Sequence, residues 1–131
     1  MGDAPRDRIF VVDRDVHVRR LVQHFLAEDV AFEFFDDGYA ALDRIRRVPP
    51  RVLVTEIIVP QLDGLALCRL VKGDPVTRHV PILVISTLAA ADRARLSGAD
   101  GFVAKPLEKK RFIASLHQLT ELHARAEEPR P

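Results

Sequence analysis

Residues 81–86 read Pro81-Ile82-Leu83-Val84-Ile85-Ser86. Four apolar residues stand in unbroken succession, opened by a proline and closed by a hydroxyl. A short continuous run rich in β-branched residues is the pattern of a strand buried on both faces. Upstream, Val52-Leu53-Val54-Thr55-Glu56 repeats the pattern, and so does Ile9-Phe10-Val11-Val12, which stops at Asp13. Phe32 to Phe35 is a weaker version, ended by Asp36-Asp37-Gly38. Downstream, Phe102-Val103-Ala104 is a short fifth run before Lys105.

Helical spacing fills the gaps. Val18, Leu21, Val22 and Phe25 fall at i, i+3, i+4, i+7, one face of a helix. Asp15 stands where an N-cap would start it. Tyr39, Leu42 and Ile45 predict a second helical stripe, closed by Pro49-Pro50. Pro60 and Asp63-Gly64 mark a loop, Leu65 to Val71 is helical, and Gly73-Asp74-Pro75 stops it. A short helix is expected from about Ala90 to Leu96, ended by Gly98, and a last one from Leu107 to about Arg125. Strand and helix thus alternate five times, which predicts an α/β domain with a parallel sheet covered by helices on both faces.

In such open sheets ligands bind outside the carboxyl ends of the strands. The residues at those ends are Asp13 and Arg14, Glu56, Ser86 and Thr87, and Lys105. A charged cluster is therefore expected at one rim of an apolar sheet.

Composition sets bounds on the rest. The chain has 131 residues, 47% of them hydrophobic and 30% charged, which suits one globular domain of about two-thirds buried surface. Residues 8–125 form that domain, with 1–7 and 126–131 expected as flexible ends. The net charge is +1, so there is no electrostatic case for nucleic-acid or membrane-surface binding. Neither a secretory signal nor a run of roughly 20 apolar residues is present, so the expected location is the cytoplasm. Cys68, the single cysteine, excludes an internal disulfide and reads as a small buried hydrophobe. The histidines 17, 24, 79, 117 and 123 show no metal-ligand spacing. Arg44, Arg46 and Arg47 read as a solvated helix C-terminus, and no glycine-rich phosphate loop is present.

From about Arg8 to Leu122 these features, in their order and spacing, resemble the receiver domain of two-component response regulators. The matching pieces are Ile9 to Asp13, Pro60 with Asp63-Gly64, Pro81 to Ser86, Gly98-Ala99-Asp100, and Lys105-Pro106. The resemblance implies a flavodoxin-like fold with strand order 2-1-3-4-5. It also implies transfer of a phosphoryl group from a kinase histidine to an aspartate ending the third strand. That chemistry is mostly positioning and charge stabilisation. In the family a Mg²⁺ is held by two acids ending strand one, by the acceptor, and by a backbone carbonyl two residues on, here Ile58. The lysine after strand five and the Ser/Thr after strand four, here Lys105 and Ser86, meet the phosphoryl oxygens. Phe102 matches the aromatic switch position.

The chain departs from that pattern at two charged positions. Glu56 stands where the family has the acceptor aspartate, and Arg14 stands at the second acid of strand one. A cation there repels a divalent ion, since two unit charges about 4 Å apart interact by on the order of 4 kcal/mol at an effective dielectric near 20. Two placements of Arg14 are open: paired with Glu56 or Asp13 as a resident cation, giving a neutral pocket, or pointing into water. Asp15 would be a substitute ligand only if it were not an N-cap. Glu56 also has two readings. It either reaches into the phosphoryl position and holds Lys105 and Ser86 in an active-like state, or merely satisfies Lys105. Finally, Lys105 follows Ser86 by 19 positions, about three fewer than is usual, nearly one helical turn lost from the fourth helix.

The expectation is a degenerate receiver domain, a non-enzymatic binding module acting by protein–protein contact without phosphorylation. Mg²⁺ is expected to bind weakly or not at all, with Asp13, Glu56 and the Ile58 carbonyl the only candidate ligands. Partners would be a kinase or an output domain, or a second copy with an altered helix-four surface. The alternative is an active phosphoryl acceptor using Glu56, Asp13 or Ser86.

Overall fold

The structure is a computed structural model that describes residues 8–26 and 30–127. The expectations for residues 1–7 and 128–131 lie outside the described residues. Five strands alternate with five helices: β1 (Arg8–Val12), α1 (Val16–Leu26), β2 (Ala31–Phe35), α2 (Gly38–Arg47), β3 (Val52–Glu56), α3 (Gly64–Gly73), β4 (Ile82–Ser86), α4 (Ala91–Leu96), β5 (Gly101–Ala104) and α5 (Lys109–Glu127). The strands form one parallel sheet in the order β2-β1-β3-β4-β5. α5 runs to Glu127, past the expected end near Arg125.

Each central strand feeds both faces, because successive side chains point to opposite sides of a sheet. Phe10, Val12, Leu53, Ile82 and Val84 pack with α2, α3 and α4. Ile9, Val11, Val52, Val54, Leu83 and Ile85 pack with α1 and α5 through Val18, Val22, Phe112, Leu116 and Leu119. The unbroken apolar runs are therefore two interleaved half-patterns, one for each layer.

Polar side chains start the helices. The Asp15 carboxylate accepts the His17 N–H at 2.9 Å, so it is the N-cap of α1. Asp37 and Asp63 cap α2 and α3 in the same way, accepting from Ala40 and Ala66. Cys68 is fully buried in α3, and burial pushes its thiol up to about 12.

Two sequence expectations need correction here. Tyr39 is 56% exposed and does not belong to the buried stripe of α2, which is Gly38, Ala41, Leu42 and Ile45. That series is i, i+3, i+4, i+7 and begins on a glycine, because the backbone of Gly38 presses against the Leu62 carbonyl and leaves no room for a Cβ. Arg44 is not simply solvated. Its guanidinium forks onto both oxygens of Glu33 on β2, at 2.9 and 3.0 Å, and Arg8 joins the same carboxylate. The planar fork matches the carboxylate, and Arg44 and Arg8 together hold the Glu33 carboxyl below its ordinary range.

Candidate functional site

Parallel strands end at the same edge, so this topology gathers four chain segments that are far apart in sequence. The pairings Val12 with Thr55, Glu56 with Ile85, and Ser86 with Ala104 bring the ends of β1, β3, β4 and β5 level. Asp13, Glu56, Ser86 and Lys105 meet there. The Lys105 N–H also donates to the Ser86 carbonyl at 2.9 Å, and the Lys105–Pro106 bond is cis.

Lys105 lies at the centre. Its ammonium is 2.8 Å from Asp13 Oδ2 and 2.7 Å from Glu56 Oε1. The other carboxylate oxygens are taken by backbone donors. Asp13 Oδ1 accepts the Asp15 N–H at 2.9 Å, and Glu56 Oε2 accepts the N–H groups of Ile57 at 2.6 Å and Ile58 at 3.3 Å. Ser86 is fully buried beside the Glu56 carboxyl, and its hydroxyl accepts the Leu88 N–H at 3.2 Å. Asp13 and Glu56 are both buried.

Electrostatics follow from that geometry. Burial pushes the Glu56 carboxyl up. The hydrogen bonds from Lys105, Ser86 and Ile57, with the Lys105 charge, outweigh burial and hold it below the ordinary glutamate range. For Lys105 burial works downward, and its two carboxylate partners outweigh it and raise the ammonium above its ordinary value. The cluster behaves as one charge-assisted network with no unpartnered side-chain polar atom buried among the described residues.

Arg14 is placed otherwise than a resident cation would be. It is exposed, and its side chain makes no ion pair or hydrogen bond among the described residues. Its neighbours explain this: Asp13 turns its carboxylate inward to Lys105, Asp15 turns to the α1 backbone, and Arg14 between them faces out. A hydrated guanidinium also avoids the desolvation cost that a buried one would meet. The expected pairing with Asp13 or Glu56 is thus corrected. Two carboxylates and one ammonium meet, so the cluster carries a formal −1 instead of the expected zero.

Thr87 and Pro106 are exposed at the rim, and Ile58 is 68% exposed on the loop after β3. Phe102 is half-buried on β5 and packs against the α2–α3–α4 layer. α4 has only six residues, in keeping with the short spacing between Ser86 and Lys105.

Sequence reasoning missed three supports. The Ile57 and Ile58 amides hold the carboxylate of Glu56. The Gly64 backbone lies against the Glu56 carbonyl, where a Cβ would overlap it. Arg19 donates to the Asp13 carbonyl at 2.7 Å. The Asp63-Gly64 pair was the available signal for the second; backbone donors leave none.

Residues 9–117 match the family model described as the response regulator receiver domain. The response regulator PleD of Caulobacter vibrioides is 35% identical over 117 residues, 86% of this chain and 26% of that protein. The chain therefore spans about a quarter of the length of that relative. Protein PilG of Pseudomonas aeruginosa is 26% identical over 115 residues, covering 83% of this chain and 84% of that one. Among solved structures, the signal receiver domain of a signal transduction histidine kinase from Syntrophus aciditrophicus superposes with a TM-score of 0.83. It is 25% identical and covers 95% of this chain and 98% of that one.

Proposed function

The chain belongs to the response regulator receiver domain family, and within that family we propose that it is a receiver whose phosphoryl site is filled by its own Glu56. Its output is then protein–protein contact without phosphorylation. The observation that carries this reading is the ammonium of Lys105 lodged between Asp13 and Glu56. All four carboxylate oxygens of the site already accept N–H donors.

A Mg²⁺ needs hard oxygen ligands in near-octahedral order. The donor set here does not fit one: one acid of the family pattern is Arg14, and the remaining two carboxylates are engaged by Lys105. Glu56 also carries its carboxylate one methylene farther out than the family's aspartate, and both its oxygens are engaged. No catalytic role is assigned to any residue, and the domain acts in the cytoplasm as a binding module for a kinase, an output domain or a second copy.

Of the two readings of Glu56, we favour the one in which it stands in for a phosphoryl group, because its carboxylate binds Lys105 and the Ile57 and Ile58 amides at once. Satisfying Lys105 alone would not require the two backbone amides.

Incubation of the chain with a small-molecule phosphodonor and Mg²⁺, followed by intact mass, tests the first part. No adduct is expected; a Mg²⁺-dependent adduct overturns it. Glu56→Ala tests the second. Amide resonances of β4, α4 and β5, including Phe102, are expected to move when the carboxylate is removed. Changes confined to residues touching Glu56 would leave only the simpler role for that carboxylate.

A further inference from the structure

Arg19 makes no contact with Lys105 or Glu56, yet it is tied to the segment that carries Asp13. It stands on the second turn of α1, with its side chain turned back across the end of the sheet. Its Nε–H donates to the Asp13 backbone carbonyl at 2.7 Å. Another arm of the same guanidinium pairs with the Asp36 carboxylate, just past the end of β2. The guanidinium carbon lies 5.4 Å from the centre of the Phe34 ring. One planar group thus spans the β1–α1 turn and the end of β2.

That span matters because of what Asp13 does. Its amide is held by the Phe35 carbonyl only at 3.3 Å, and its side chain must reach Lys105 with one oxygen and the Asp15 amide with the other. Past Val12 the strand ladder has ended, so the direction of the Asp13 carboxylate depends on the turn. We propose that Arg19 is the positioning residue of the cluster: by fixing the Asp13 carbonyl to Asp36 it sets the carboxylate that grips Lys105. Arginine suits this use because its fork holds two acceptors at a fixed separation. A lysine has no such fork.

The inference concerns the geometry of the Asp13–Lys105 pair and holds whether or not the site accepts a phosphoryl group. Its test is spectroscopic and uses the full chain. Two exchange rates with water report on the pair: that of the Lys105 ammonium and that of the Asp15 amide, which donates to Asp13. Arg19→Met keeps an unbranched apolar stem and removes the guanidinium. It is expected to accelerate both rates about ten-fold, the change in an opening equilibrium for one charge-assisted hydrogen bond. Arg19→Lys, able to reach only one acceptor at a time, is expected to give rates between the two proteins. Wild-type rates at both groups in Arg19→Met, or in Arg19→Lys should the methionine variant not fold, overturn the proposal. So does an equal acceleration of every core amide, which would mark Arg19 as a general contributor to stability.

Discussion

The ammonium of Lys105 stands 2.7 Å from Glu56 Oε1, in a pocket where the two side chains are only 12% and 10% exposed. The same ammonium is 2.8 Å from Asp13. One cation therefore satisfies two acids, and the three groups depend on one another.

Replacing Lys105 by methionine keeps most of its stem but leaves two buried carboxylates facing each other. Breaking a buried pair by removing one partner costs about 3–5 kcal/mol. We expect Lys105→Met to lose about 3 kcal/mol of stability at neutral pH, read from urea unfolding. An unchanged midpoint would mean that the pair is more hydrated than its burial indicates.

The acid limb of stability should carry the mark of Glu56. Its carboxyl is held below the ordinary range in the folded chain. Its contribution is thus full above the unfolded value of about 4.3 and is lost as pH falls through the lower, folded value. Lys105 has the opposite sign. Its raised value keeps its contribution full below the ordinary lysine range, and the contribution disappears as pH rises through the folded value above that range. Thermal unfolding between about pH 2 and 5 should fall less steeply in Glu56→Gln than in the wild type. Parallel curves would disconnect Glu56 from the acid transition.

The divalent-ion site should return only when the acids do. Glu56→Asp shortens the side chain but leaves Arg14 where the family has a carboxylate. Arg14→Asp with Glu56→Asp changes the local charge by two units. Each unit pair at about 4 Å is worth on the order of 4 kcal/mol at an effective dielectric near 20, so Mg²⁺ binding should tighten at least about a hundred-fold. Fluorine NMR of beryllofluoride with Mg²⁺ should detect a bound species in the double variant and none in the wild type. A bound species in Glu56→Asp alone would show that Arg14, turned to water, is no obstacle.

Gly38 offers a test of the scaffold. A Cβ at this position would overlap the Leu62 carbonyl oxygen, which is backbone and cannot rotate aside. Overpacking costs typically 1–3 kcal/mol, and Gly38→Ala sits at the upper end. The midpoint of thermal unfolding should drop by about 10 °C. A near-wild-type midpoint would mean that the loop carrying Leu62 gives way.

The sheet was legible because each strand ends its apolar run in a polar residue, and the parallel order forces those ends together. That logic brought Asp13, Glu56, Ser86 and Lys105 to one rim. It did not decide whether Arg14 joins Lys105 among the acids or points into water. That outcome depends on which side chain faces inward past the end of β1, a matter of turn geometry set by Asp15 capping α1. The Tyr39 stripe failed for a related reason: hydrophobicity ranks a tyrosine above a glycine, but packing at this point admits only a hydrogen. Arg19 and the Glu33–Arg44 fork were hidden because their partners lie on other elements, and sequence spacing reports only neighbours along one element.

Cys68 has a practical consequence. It is fully buried, and its thiol is pushed up to about 12. At neutral pH only about one molecule in 100,000 holds it as the reactive thiolate. Since the chain has no other cysteine, one introduced at an exposed position such as Ile58 or Leu96 would react with a maleimide or spin label essentially alone. The native chain is therefore a silent background for attaching probes beside the pocket mouth or on α4, with no need to remove a residue of its core.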